Sequence, residues 1–231
     1  MIQKMIDDKL KAEQEEHGKR LRSGKWSPSS FGYCYRKQYW NRLNEPQTNP
    51  VDERTLRIFR CGHLFHDFVQ AFFVGQTEVK VDSKDVFGYA DIVLPDEVID
   101  IKSVHSYQFH YSTKAGFDIA KEKYTNILQT ATYAVLLNKP KFRLVFVSKD
   151  DLCIEEYGFV TEKWKAEVEK ELANLRKFWD AKTLPPAQPR AFKSKDEFKE
   201  CRSYCNYKDK CISCGHVIPP EVKKIKGEKN V

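Results

Sequence analysis

The stretch from Val86 to Lys102 leaves the chain few ways to fold. Residues 86–94 and 97–102 are rich in β-branched and aromatic side chains, and Pro95-Asp96 separates them. Proline pre-sets the backbone dihedral of a turn's second position, so the pattern reads as two strands joined by a tight antiparallel turn. With Pro95 and Asp96 at its centre, Leu94 faces Glu97 and Asp91 falls opposite Asp100. Facing residues on such a pair have Cβ atoms roughly 4.5–5.5 Å apart, where like charges destabilise. Alternation along the strand puts Lys102 on the same face as Asp100. Two carboxylates and an ammonium on one sheet face do little for stability, but they suit a divalent cation and an activated water.

At 231 residues the chain is one large domain, or a domain with appendages, with length for a sizeable core. Its net charge of +7 points to a polyanionic partner, nucleic acid among the candidates. Aromatic residues make up 13%, which argues against disorder. No apolar run approaches membrane-spanning length and residues 1–4 open no signal peptide, so a cytoplasmic place without membrane contact is expected. In that setting seven cysteines read as metal or cluster ligands rather than disulfides.

The chain divides into a charged helical arm over residues 1–25, a main domain over 26–214, and a basic, disordered tail over 215–231. The arm mixes both signs of charge and reads as a solvated helix rather than a DNA-binding one. Ser27-Pro28 has the form of a helix start and opens a helix carrying Phe31, Tyr33, Cys34, Arg36, Tyr39 and Trp40. Residues 44–53 form a loop. A second helix over 56–73 repeats Phe59, Gly62, His66, Val69 and Phe73 as one buried stripe, which turns His66 inward and leaves His63 outside. A lone histidine on such a stripe is usually a packed core residue.

Residues 77–81 form a strand, and Glu78 within it reads as a surface glutamate. The polar and aromatic segment 103–116 reads as a loop over the site, whose rings either stack bases or simply pack. A helix over 118–137 carries Tyr124, Leu128, Ala131 and Val135 as its stripe, with Gln129 and Tyr133 together on the flank. Two strands follow over 142–148 and 153–159, with Cys153 as a small core hydrophobe. A long amphipathic helix over 162–181 buries Trp164, Val168, Leu172, Leu175 and Trp179. The order predicts an α/β domain with a mixed central β-sheet flanked by helices.

The tail carries Cys201, Cys205, Cys211 and Cys214 within fourteen residues. Spacing leaves two readings open. All four could bind zinc as a tetrathiolate, or three could join a distant cysteine around an iron–sulfur cluster, with Cys34 the obvious partner.

Taken together, these residues resemble the RecB-type branch of PD-(D/E)XK nucleases, and most of all its CRISPR-associated and phage iron–sulfur exonucleases. Gly88 and Asp91, then Asp100 and Lys102, match that family's Gly-x-x-Asp and Asp-x-Lys. Gly62 and His66 match its upstream Gly-x-x-x-His, and Gln129 and Tyr133 its Gln-x-x-x-Tyr. The Ser-Pro-Ser stretch, Cys34 and the tail cysteines also fall in order, so the likeness spans about residues 26–214. Pro95-Asp96 is not the family's Pro-Asp, because it sits in the turn. Three residues between Cys201 and Cys205, where the family commonly has two, also depart from the pattern.

The resemblance implies a restriction-endonuclease-like core, with an iron–sulfur clasp joining the N-terminal helix to the tail. It implies Mg²⁺ or Mn²⁺ held by His66, Asp91, Asp100 and the Ile101 carbonyl, with Glu78 a lesser candidate. Asp91, Asp100, Lys102, Gln129 and Tyr133 would form the catalytic set: Lys102 orients the water, and Gln129 and Tyr133 position the strand or Lys102. A [4Fe-4S] cluster would sit on Cys34, Cys201, Cys205 and Cys211, with Cys214 as a substitute ligand and zinc as the alternative. The implied activity is a DNA exonuclease on single-stranded or free ends, 5′→3′, in recombination, repair, phage replication or CRISPR spacer acquisition with protein partners. A flap endonuclease and a non-catalytic DNA-binding subunit are the alternatives.

Overall fold

Five strands, Gln76–Asp82 (β1), Phe87–Val93 (β2), Glu97–Val104 (β3), Lys141–Ser148 (β4) and Ile154–Val160 (β5), lie side by side in sequence order in one sheet. All neighbours are antiparallel except β3 and β4, which run parallel. A parallel neighbour needs a long crossover. Here it is supplied by helices Ser106–Ser112, Ile119–Glu122 and Tyr124–Leu136. The remaining helices are Ile2–Lys19 (α1), Tyr35–Arg42 (α2), Glu53–Gln70 (α3), Glu162–Asp180 (α7), Lys199–Ser203 (α8) and Lys208–Ser213 (α9), so the crossover helices are α4, α5 and α6. This computed structural model describes residues 1–19, 23–114, 116–191 and 196–219; of the expected tail over 215–231, residues 220–231 lie outside it.

Alternation along the strands makes two cores. Val98, Phe142, Leu144 and Phe146 face Ile127, Leu128 and Ala131 of α6 and Val168, Leu172 and Leu175 of α7. Ile92, Ile99, Ile101, Val145 and Val147 face Val69, with Phe65 and Phe73, on the α3 side. The mixed sheet flanked by helices is the expected architecture.

Several expectations need correction. Ser27-Pro28 opens only a 3₁₀ turn, Pro28–Ser30, and Ser27 Oγ pairs with Ser29 Oγ instead of capping an amide. Gly32 at φ +80° breaks the run, and α2 starts after Cys34. The helix expected from Leu56 begins earlier, because Asp52 caps it by accepting from Thr55 N–H, and Phe59 is exposed rather than part of its buried stripe. The segment 103–116 contains α4 rather than being a loop. Lys123 interrupts the expected helix over 118–137, separating α5 from α6. Cys153 is exposed ahead of β5 and is not a core residue. The charged arm does not stand free: α1 packs on α3 with Leu10 buried, Asp7 paired to Arg57 and Lys11 to Glu53.

One close approach fixes α6 against β2. A Cβ built on Gly88 would lie 2.4 Å from Tyr133 Oη and 3.3 Å from Pro28 Cδ. The missing side chain therefore makes room for a buried phenol. Overpacking of this kind typically costs about 1–3 kcal/mol. Gly88→Ala is expected to lower the midpoint of thermal unfolding accordingly, and adding Tyr133→Phe should recover part of the loss. Equal melting temperatures for the wild type and Gly88→Ala would contradict this packing.

Candidate metal centre

The register of β1 and β2 pairs Thr77 with Ile92 and Val79 with Ala90, which sets Glu78 opposite Asp91. On the other side Ile92 pairs with Ile99, so Asp91 stands level with Asp100. Three carboxylates thus form a row across three strands, where pairing of like charges is unfavourable. The backbone relieves the crowding. Glu78 takes φ +49°, a left-handed conformation that costs a non-glycine residue roughly 1–2 kcal/mol. Across Asp91 the strand changes face: Ala90 joins the α6-side core and Ile92 the α3-side core.

Asp91 and Asp100 therefore do not simply face each other as alternation implies. Asp91 Oδ2 accepts the Ile101 N–H at 2.8 Å, standing in for a ladder carbonyl, and lies 3.5 Å from His66 Nδ1. The Asp91 carbonyl, freed from the ladder, accepts from Gln70 Nε2, which also donates to Glu78 Oε1 at 2.9 Å. His66, Glu78 and Asp91 each bring one ligand atom to within 4.8 Å of the others. Burial lowers the His66 pKa, and the Lys102 charge lowers it further, so its ring is neutral with a lone pair to offer.

Asp100 turns the other way. Gln129 Nε2 donates to its Oδ1 at 3.1 Å, and Lys102 Nζ lies 2.6 Å from Oδ2. At that distance the Lys102 ammonium donates to Oδ2, so both oxygens of the buried Asp100 are engaged. Burial pushes the Asp100 carboxyl up to about 6, against the pull of Lys102. Burial also opposes the Lys102 charge, but Asp100 and Asp91 outweigh it and hold the ammonium protonated. Tyr133 is buried against Gly88, one turn further along α6 from Gln129.

The donor set fits a hard divalent cation: carboxylate oxygens and one neutral imidazole. Of the expected ligands, His66 and Asp91 converge, and Asp100 stands outside their group beside Lys102. Glu78, the lesser candidate, is the third member. Its place opposite Asp91 follows from extending the β1–β2 register, a step that the hairpin around Pro95 alone does not contain.

A second gathering of donors lies at the C-terminal end. Cys34, Cys201, Cys205 and Cys211 line one small cavity with Arg36, Trp40 and Ala187, whereas Cys214 is exposed and does not. Burial and neighbouring thiols push the Cys201 thiol up to about 12. Burial raises Cys34 too, opposed by the backbone N–H of Lys37 at the start of α2. Arg36 Nη1 lies 3.7 Å from Cys211 Sγ. Neutral thiols sharing one cavity would release protons on loading a metal.

Comparison with known proteins gives the fold an independent anchor. The crystal structure of SSO0001 superposes with a TM-score of 0.56 at 19% identity, covering 90% of this chain and 94% of the other. An alkaline exonuclease from Laribacter hongkongensis, LHK-Exo, superposes with a TM-score of 0.52 at 14% identity, covering 72% of this chain and 93% of its own. The chain shares the fold of these two proteins. It is restriction-endonuclease-like, as the sequence resemblance implies. No protein-family model matches the chain, and no curated protein sequence does. Among the described residues, no helix is long and apolar enough to cross a membrane.

A raised carboxyl pKa has a direct stability consequence. The free energy that favours protonated Asp100 is fully present below the ordinary pKa near 4 and is lost as pH rises through about 6. In chelator at pH 8, Asp100→Asn should therefore be more stable than the wild type by about 1–3 kcal/mol, with the gap closing at pH 4. Urea unfolding at the two pH values checks this. A wild type more stable than the variant at pH 8 would refute the burial penalty.

Proposed function

We propose that this chain is a metal-dependent DNA exonuclease that hydrolyses phosphodiester bonds at single-stranded ends, with 5′→3′ polarity. One observation carries the reading: the His66, Glu78 and Asp91 group stands next to a buried Asp100–Lys102 pair on adjoining strands. A purely structural sheet would have no use for three carboxylates in a row.

His66, Glu78 and Asp91, with Asp100 and the Ile101 carbonyl, are the residues that would hold Mg²⁺ or Mn²⁺. Such a cation supplies charge to the scissile phosphate and lowers the pKa of a bound water toward neutrality. Lys102, kept protonated by its acidic neighbours, orients the attacking water and offsets the charge that develops on the phosphate. Gln129 positions Asp100 through its amide. Tyr133 acts at one remove, by holding β2 and α6 in register at Gly88. An imidazole among oxygen donors favours Mn²⁺ over Mg²⁺.

The cysteine site is read as a [4Fe-4S] cluster on Cys34, Cys201, Cys205 and Cys211. Its role is structural, joining the start of α2 to the tail. Recombination, repair, phage replication and CRISPR spacer acquisition are the settings that such an activity serves.

Two measurements test these assignments. End-labelled single-stranded DNA with Mn²⁺ should be degraded from its end by the wild type, with activity falling at least about 100-fold in Asp100→Ala and Lys102→Met, while closed circular single strands stay intact. Equal degradation by wild type and variants would refute the active site, and cutting of circles would make the enzyme an endonuclease. Brown protein with stoichiometric iron and sulfide, lost in Cys205→Ala and kept in Cys214→Ala, is expected of the cluster. Zinc in place of iron would overturn it.

A further inference from the structure

An open cleft of about 800 Å³ lies between α4, the α5–α6 corner and the segment leading into α8. It is the size of a small-ligand site, room for a few nucleotides of single strand and too small for a duplex. Thr125, on its wall, shares one face of α6 with Gln129 and Tyr133, four and eight residues on. At 1.5 Å rise per residue, the cleft opens about 6 Å along the helix from the residue that holds Asp100. Tyr33, also on the wall, is close enough to Lys102 for each to shift the other's titration. The cleft therefore adjoins the proposed catalytic centre.

Its lining has the chemistry of a nucleic-acid bed. Lys121, Lys123, Arg190, Lys199 and Arg202 bring positive charge, against Glu122 and Asp196. Arg190 is committed to Glu171 and Arg202 to Asp196. Lys123 is different: it is half-buried and forms no ion pair with any described residue, and its ammonium rests 5.4 Å from the centre of the Phe146 ring. The break between α5 and α6 puts it there, and α6 starts beside it without a side-chain cap, which adds the positive end of the helix dipole. Tyr107 also lines the cleft, with 77% of its surface exposed, and stacks on His105. A half-buried cation without an ion pair and an exposed aromatic ring lining one cleft match a phosphate and a base of the same strand.

We propose that this cleft is the bed for the single strand next to the scissile phosphate, with Lys123 holding a backbone phosphate and Tyr107 stacking a base. The assignment rests on the exonuclease reading for its position, but it makes a separate claim about binding. Neither residue acts on the reacting bond. Both position the substrate.

The test separates binding from cutting. Anisotropy of labelled oligo(dT) of twelve nucleotides is measured in chelator, where no hydrolysis occurs, across a salt series. Lys123→Gln should weaken binding about three- to tenfold and reduce the slope of log affinity against log salt by about 0.7, one phosphate's share for a single strand. Tyr107→Leu should weaken binding roughly 5- to 100-fold and leave the slope unchanged. Lys163→Gln, an exposed lysine on α7 outside the cleft, controls for lost charge, and Lys123→Arg controls for folding by retaining binding. Binding unaffected by Lys123→Gln, or affected equally by Lys163→Gln, overturns the proposal. Lys123-dependent binding by a protein that cuts nothing in Mn²⁺ upholds the cleft and sinks the nuclease reading. Cutting by a protein whose binding ignores Lys123 does the reverse.

Discussion

The Asp91 carboxylate occupies the place of a backbone acceptor, and much of the site depends on that substitution. In an unbroken ladder the Ile101 N–H would bond to a carbonyl of β2, and the two strands would run on side by side. Asp91 Oδ2 takes that N–H instead, and its own carbonyl is handed to Gln70 of α3. The exchange gives both the Ile101 N–H and the Asp91 carbonyl a partner, as a buried sheet requires. It also opens the sheet at one level. Asp91 can then serve the α3 side, where His66 stands, while Asp100 serves the α6 side, where Gln129 and Lys102 wait.

That opening stores cost in a few square ångströms. Glu78 sits in a left-handed conformation, Asp100 is buried with its carboxyl pKa raised, and Lys102 is held charged within the same interior. Each is unfavourable in isolation, and strain of this kind clusters where a ligand or a reaction repays it. The two cores on either side hold the arrangement in place, because Ile101 and Ile99 are packed against α3 while Val98 is packed toward α6 and α7. The residues between them are over-determined by apolar packing, so the acidic row cannot relax by shifting register.

How much of this can be read from sequence depends on whether neighbours along the chain or across it set the geometry. The hairpin around Pro95 is local, and the Asp100–Lys102 contact follows from alternation alone. The α3 stripe places Gly62, His66 and Val69 inward, yet it includes Phe59, which is exposed. Glu78 reads as an edge residue because its neighbour Asp91 is thirteen positions away, and its positive φ leaves no mark in composition. Nor does a sequence show that Lys123 interrupts a helix, since nothing in Glu122-Lys123-Tyr124 is a strong breaker. Tertiary packing decides there, and with it the shape of the cleft.

The cysteine cavity and the acidic row are joined mechanically through two buried carboxylates. Glu200, next to Cys201, accepts from the backbone N–H groups of Cys34 at 2.5 Å, Arg190 at 2.8 Å and Ala191 at 3.1 Å. Glu171 of α7 accepts from Gly32 N–H, Gln38 and Arg190. Between them they fix the turn that carries Tyr33 and the segment that carries Arg190, and both of these line the cleft. The turn is pressed so close to α6 that a Cβ on Gly32 would meet Thr125 Cγ2 at 2.9 Å. A group bound by Cys34 and Cys201 would therefore tie the Tyr33 turn and the Arg190 segment to the helix that carries Gln129, a role that needs no electron transfer.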